Sequence, residues 1–199
     1  MVIKTIVFDV GGILYSQSKK RYHAFCRKYK IKYKDFKKFY NHYGRLAKLG
    51  KLSKRGFPRI VAKSLGIKDF NNFYKDWIKD NIKYLKKNKQ VDRLLLKLKK
   101  KYLIAALTNV TKTKDISRKK GNYYKHFKFV MRSNKVGMKK ADPRIYKLII
   151  KKIKLSPEEI LFIDNAPKNL PPARKLGMRI ILFKNNTQLI RDLKKLKIL

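Results

Sequence analysis

Cysteine, histidine and glutamate are nearly absent from this chain, and each scarcity removes a class of function. Cys26 is the single cysteine, so no disulfide can form within the chain and a reduced, cytoplasmic setting is expected. The three histidines, His23, His42 and His126, are far apart in sequence, and no Cys/His set has zinc-site spacing. They read as surface or packing residues. No apolar run reaches the roughly 18 residues that a spanning helix needs, so no membrane partner is expected. The apolar stretch from Met1 to Leu14 carries Asp9 in its middle and no small-residue cleavage site, which argues against a secretory leader. Glu158 and Glu159 are the only glutamates. Ion-pair networks need both signs in quantity, so they do not explain the charge of this chain.

That charge is extreme. Lysine and arginine number 55 against 12 acids, a formal net of +43. Such an excess attracts polyanions. The bases are scattered over the whole chain rather than gathered on one tail or face, which is the mark of composition more than of a dedicated binding surface. Non-specific adhesion to nucleic acid at low salt is expected on either account. With 44% hydrophobic residues the chain has enough apolar content to fold, and 199 residues suffice for one full core plus a smaller accessory unit.

Residues 2 to 9 are β-branched and apolar and end in a carboxylate, the pattern of a buried strand. Gly11 and Gly12 then break it. From Ser18 to about Lys89, aromatics recur at helical spacing among lysines, as in Tyr22, Phe25, Tyr29 and then Phe36, Tyr40, Tyr43. This predicts four or five short helices and no strands, with Trp77 and the aromatic stripe as their packing core. From Val91 the chain alternates. Helices are expected over 91–101, 111–120, 143–154 and 168–176, and strands over 102–107, 126–131, 160–164 and 179–183, with a basic helix last. Asp142-Pro143 reads as an N-cap followed by proline at the first helical position, and Gly177 as a helix stop. Short connections between alternating elements imply an α/β fold, a Rossmann-like parallel sheet with helices on both faces. Residues 1–14 and 92–199 are expected to form that core, and 15–91 a helical insertion after the first strand.

In an open parallel sheet, ligands bind beyond the carboxyl ends of the strands. Three strand ends carry polar residues that would converge there: Asp9 with Gly11 and Gly12, Thr108 with Asn109, and Asp164 with Asn165. Two carboxylates, a hydroxyl and two amides suit phosphate plus Mg²⁺, a cation that takes a few carboxylate oxygens and fills its shell with water and phosphate.

These residues resemble four motifs of the haloacid dehalogenase superfamily, in the subgroup with a small helical cap. The first is Phe8-Asp9-Val10-Gly11-Gly12, the second Leu107-Thr108-Asn109, the third Lys140-Ala141-Asp142-Pro143, and the fourth Phe162-Ile163-Asp164-Asn165. They occur in order, and the resemblance spans essentially the whole chain. It implies a phosphohydrolase in which Asp9 attacks phosphorus and Mg²⁺ is held by Asp9, the Gly11 carbonyl, Asp164 and Asn165. It also implies that Thr108 and the Asn109 amide, with Gly11 and Gly12, hold substrate, and that Lys140 neutralises Asp9 and the transferring group. A small phosphorylated metabolite, a sugar phosphate or nucleotide, is the implied substrate. Asn169 is expected to orient the fourth-motif loop, and Tyr15 to face the substrate from the hinge.

Two positions depart from the family pattern. The usual second aspartate of the first motif is Gly11, which removes the family's general acid/base, a contribution typically worth ~10²–10⁴-fold. Phosphatases of a subgroup resembling this one also carry glycine there, and the founding dehalogenases carry tyrosine, which lowers the case for carbon–halogen cleavage. Asn165 stands where a second acid is common. The competing reading is a weak or inactive domain that binds nucleic acid or another polyanion through its lysines.

The charge makes a measurable demand. Retention on nucleic acid at low salt should fall steeply and linearly on a log–log plot as salt rises, because bound counterions are released. Binding indifferent to salt would contradict the electrostatic reading.

Overall fold

The computed structural model describes residues 2–17 and 20–199. Five parallel strands form one sheet in the order β5-β4-β1-β6-β7. They are β1 (Thr5–Phe8), β4 (Leu103–Thr108), β5 (Phe129–Arg132), β6 (Ile160–Asp164) and β7 (Arg179–Leu182). β1 is central, paired with β4 on one side and β6 on the other. All four of its residues are buried, as expected of a parallel strand covered on both faces.

The two faces separate by the alternation of side chains. Ile6 and Phe8 enter a core with Leu94, Leu95, Leu189 and Leu193. Val7 enters the opposite core with Ile145, Ile149 and Ala173. The first core is closed by α5 (Lys89–Leu98) and α10 (Asn186–Lys195), the second by α8 (Arg144–Ile153) and α9 (Leu170–Lys175). α5 buries Val91, Leu94, Leu95 and Leu98 along one stripe, and its first turn is capped by Asn88, whose side chain accepts the Val91 N–H at 3.3 Å.

The stretch between β1 and β4 is mostly helical: α1 (Lys20–Lys28), α2 (Tyr33–Lys48), α3 (Gly56–Ser64) and α4 (Phe70–Lys83). The expected start of this stretch at Ser18 lies outside the described residues. Trp77 sits at its centre, with the rings of Phe25, Phe36, Tyr40, Phe57 and Phe73 at 5.5–6.0 Å. The aromatic stripe is therefore a packing core of its own. The expectation that this stretch holds no strand is corrected. β3 (Leu85–Lys87) pairs antiparallel with β2 (Tyr15–Gln17), closing the base of the helical block. Three half-exposed residues rich in lysine carry no period-2 hydrophobic pattern, so this ladder is imposed by its partner strand.

α6 (Lys112–Lys120) ties the block to the sheet. Lys112 Nζ donates to the Gly50 carbonyl at 2.9 Å, and Thr113 Oγ1 to the Lys54 carbonyl at 3.0 Å. Of the four residues of α6 that are buried, Thr113, Asp115, Ser117 and Arg118, none is apolar.

Element boundaries shift by a residue or three from expectation. β1 starts at Thr5, β5 spans Phe129–Arg132 and runs into the one-turn helix α7 (Ser133–Val136), and the fourth motif is followed by a short 3₁₀ turn, Pro167–Asn169, before α9. Asp142 does accept the Arg144 N–H at 3.0 Å, but Pro143 holds the cap position and α8 begins at Arg144. Among the described residues no helix is long and apolar enough to cross a membrane.

Candidate active site

The order of strands reverses about β1. The chain builds β4 and β5 on one side, then crosses back to place β6 and β7 on the other. The crevice of such a sheet opens at the carboxyl end of the strand where the order switches. Asp9 is the residue directly after β1, and its amide still donates to the Ile163 carbonyl of β6 at 2.8 Å. That bond sets Asp9 beside Asp164, the last residue of β6.

Lys140 joins them. Its Nζ lies 2.6 Å from Asp9 Oδ1 and 2.7 Å from Asp164 Oδ2. Side-chain exposure is 2% for Lys140, 10% for Asp9 and 0% for Asp164, so water screens this triad little. The lysine is delivered by the loop before α8. Its own N–H is held by Asn109 Oδ1 at 3.1 Å, which couples the second motif to the third. Among the described residues, Lys139, the alternative neighbour in sequence, forms no ion pair with either carboxylate, whose lysine partner is Lys140.

Both oxygens of Asp164 are engaged, and Oδ1 keeps a lone pair. Oδ1 accepts the Ala166 N–H at 2.8 Å, and Oδ2 accepts Asn169 Nδ2 at 3.0 Å besides Lys140. Asn169 thus orients the fourth-motif loop, as expected. Behind it, the buried Tyr146 hydroxyl donates to the Asn169 carbonyl at 2.6 Å, and burial raises the Tyr146 pKa, keeping it a donor. Asp9 keeps Oδ2 free of protein hydrogen bonds among the described residues.

The first-motif turn explains its glycines. Gly12 has φ +90°, and a Cβ there would stand 2.5 Å from Asn165 Nδ2, so a side chain would be strained and would have to displace the Asn165 amide. Asn165 stands over Gly12, and among the described residues the partners of the two carboxylates are Lys140, Asn169 and the Ala166 amide. Gly11 is flanked by a different group: a Cβ there would meet Arg118 Nη2 at 3.1 Å.

Arg118, buried in α6, escaped the sequence reading. Its Nη1 donates to Thr108 Oγ1 at 2.9 Å, and its guanidinium lies 4.8 Å from the Tyr15 ring centroid. Tyr15 is itself buried, with the Tyr123 ring tilted against it at 4.8 Å, so its ring supports Arg118. One arginine among 55 basic residues gives no local signal. The signal lay in its helix: over 111–120 the only aliphatic residue is Ile116, so a helix forced against the sheet end had to bury polar groups.

The histidines lie in other surroundings. His126 is bonded to Asp92 of α5 at 2.9 Å, and burial lowers its pKa. His23 stacks on Tyr33 and His42 packs against Tyr43. Around the crevice the field is positive. Burial lowers the pKa of Lys48, and repulsion from Lys114, Lys139 and Lys168 lowers it further.

The donor set suits a hard cation that takes few protein ligands. Asp9 and Asp164 present two carboxylates at adjacent strand ends, and the Gly11 carbonyl adjoins them in sequence. Among the described residues no group of three or more His, Cys, Asp or Glu could hold a metal alone. Mg²⁺ fits such a set, because it retains water and takes substrate phosphate oxygens.

Comparison with known proteins agrees with this geometry. The family model for haloacid dehalogenase-like hydrolases matches residues 3–177. The chain is 43% identical over 70 residues to bifunctional epoxide hydrolase 2 of Sus scrofa, a match covering 35% of this chain and 13% of that protein. Among solved structures, a HAD family enzyme from Bacteroides thetaiotaomicron in magnesium complex superposes with TM-score 0.83 at 21% identity, covering 96% of this chain and all of that one. A 2-haloacid dehalogenase from Pseudomonas syringae gives TM-score 0.71 at 14% identity, covering 98% and 99%. At these identities the structural likeness concerns the fold.

The triad yields a stability test. Lys140→Met keeps most of the side chain's length and removes its charge, leaving two buried carboxylates without their cation. Unfolding free energy at neutral pH should fall by about 3–5 kcal/mol by chemical denaturation. A loss below about 1 kcal/mol would show that the bridge is not needed to hold these strand ends together.

Proposed function

Because the chain belongs to the haloacid dehalogenase-like hydrolase family, we propose that it is a Mg²⁺-dependent phosphohydrolase acting on a small phosphomonoester, a sugar phosphate or nucleotide. The observation that carries this reading is the free Oδ2 of Asp9 beside a lysine already shared with Asp164. A carboxylate with one oxygen anchored and the other open is a nucleophile held in a single orientation. Lys140 lowers the cost of bringing a phosphate dianion against it.

Asp9 Oδ2 attacks phosphorus, the bond to the leaving oxygen breaks, and an aspartyl-phosphate forms on Asp9. Thr108 and the Asn109 amide receive the phosphate oxygens. The Arg118 donor occupies a lone pair of Thr108 Oγ1, which frees the hydroxyl proton to point at the phosphate. Asp9, Asp164 and the Gly11 carbonyl, with Asn165 nearby, would hold Mg²⁺, which would supply positive charge against the repulsion of carboxylate and phosphate. Water then attacks phosphorus, the bond to Asp9 breaks, and inorganic phosphate leaves carrying the protons of the water.

Two further observations support phosphate as the group handled. The Bacteroides thetaiotaomicron enzyme of the same fold has been solved with magnesium and inorganic phosphate (TM-score 0.76, 21% identity, 92% of this chain and 94% of that one). The positive field at the crevice suits a dianion. Dehalogenases and a segment of an epoxide hydrolase share the likeness, so carbon chemistry is the outcome to test against.

Phosphate and halide release should be measured with and without Mg²⁺ across sugar phosphates, nucleotides, an aryl phosphate and 2-haloacids. The expected result is Mg²⁺-dependent phosphate release, abolished by chelation and by Asp9→Asn. Halide release without metal, or no phosphate from any compound, would overturn the reading.

A further inference from the structure

Two features of the crevice have a joint consequence for what it can cleave. Gly11, two residues past the nucleophile, has no side chain to give or take a proton, and the space beside it is taken by Arg118 Nη2, 3.1 Å from where a Cβ would stand. Arg118 is held on three sides. Thr108 Oγ1 takes Nη1 at 2.9 Å, the Tyr15 ring lies 4.8 Å from Cζ, and Tyr124 adjoins it with its hydroxyl tied to Asp115 at 2.9 Å. Burial raises the Tyr124 pKa, so that contact stays a neutral phenol. A guanidinium keeps its proton throughout the working pH range. It offers a fixed charge and directed N–H groups, and no transferable proton.

The histidines and the two strand-end carboxylates are engaged elsewhere. Among the described residues, His126 is bonded to Asp92, while His23 and His42 pack within the helical block. Asp9 and Asp164 are committed to Lys140. A primary alcohol leaves phosphorus as a strongly basic alkoxide and needs a proton as it departs. A carboxylate or phosphate leaves as a stable anion and needs a cation.

We propose that Arg118 meets the leaving oxygen, and that the preferred substrates are small phosphoric anhydrides, acyl phosphates or diphosphates, whose leaving group departs as an oxyanion without protonation. The inference rests on the phosphohydrolase reading and extends its substrate class from phosphomonoesters to phosphoric anhydrides, placing anhydrides above the alcohol esters of sugars. In the step, Asp9 Oδ2 bonds to phosphorus, the anhydride P–O bond breaks, its electron pair stays on the departing oxygen, and Arg118 Nη2 donates to that anion. No proton is transferred.

The test is kcat/KM, which reports formation of the aspartyl-phosphate, for wild type and Arg118→Gln with Mg²⁺. The substrates are aryl phosphates of graded phenol acidity, acetyl phosphate, ADP and glucose 6-phosphate. For wild type, kcat/KM should fall steeply as the leaving oxygen becomes more basic, with glucose 6-phosphate below acetyl phosphate or ADP by at least ~10²-fold, the low end of what a general acid contributes. The better of acetyl phosphate and ADP identifies the anhydride used. Arg118→Gln should lose about 10²-fold on the anhydrides and steepen the dependence on leaving-group basicity. An equal loss on every substrate, with the slope unchanged, would make Arg118 a support for Thr108 alone and overturn the proposal. So would a flat slope in wild type, which needs no variant to fold. Phosphate release from none of the compounds would instead fault the phosphohydrolase reading itself.

Discussion

The site depends on one ammonium group placed between two buried carboxylates. Asp9 and Asp164 end neighbouring strands whose register brings them side by side, and two carboxylates out of water repel strongly unless a cation stands between them. Lys140 fills that place at 2.6 and 2.7 Å. Much of the surrounding structure holds the lysine and its partners in position. Asn109 fixes the Lys140 backbone, Asn169 and the Ala166 amide fix Asp164, and Tyr146 fixes Asn169. Each of the three later motifs thus contributes a contact to the charge arrangement around the first. In a chain of net charge +43, most lysines have no carboxylate to pair with. This one has two, and its burial would be unaffordable otherwise.

The second constraint is the exchange of a side chain for a neighbour at Gly11. Removing a side chain there opens space, and the helix after β4 fills it with a guanidinium rather than with solvent or an aliphatic group. The same helix reaches the helical block through Lys112 and Thr113. α6 therefore both closes the crevice from the side and carries the cation that lines it. A movement of the block relative to the sheet would act on Arg118 and Thr108 through one rigid element.

The sheet was legible because its strands are apolar except at their ends and two of the later ones are preceded by a turn or cap: Ser156-Pro157 before β6, Gly177 before β7. Asp9, Thr108 and Asp164 were legible because strand ends of a parallel sheet converge, whereas Lys140, in the loop before α8, was legible only through its place in the third motif. The tight contact of Asn165 with Gly12 was not, since it depends on a left-handed backbone angle at the glycine. β3 was hidden because three half-exposed residues are ordered by their partner and not by their own pattern. Arg118 was hidden by composition. Among so many bases only burial distinguishes it, and burial of a polar helix face became visible only once the helix had a sheet end to pack against.

The central claim is that Asp9 is a covalent nucleophile towards phosphorus, and the most direct measurement is to trap the intermediate. The protein is mixed with Mg²⁺ and an activated phosphoryl donor, quenched during turnover, reduced with borohydride and mapped by peptide mass spectrometry. The account predicts conversion of Asp9 to homoserine, dependent on the donor and absent from Asp164. Modification at another residue, or none under conditions where phosphate is being released, would contradict it.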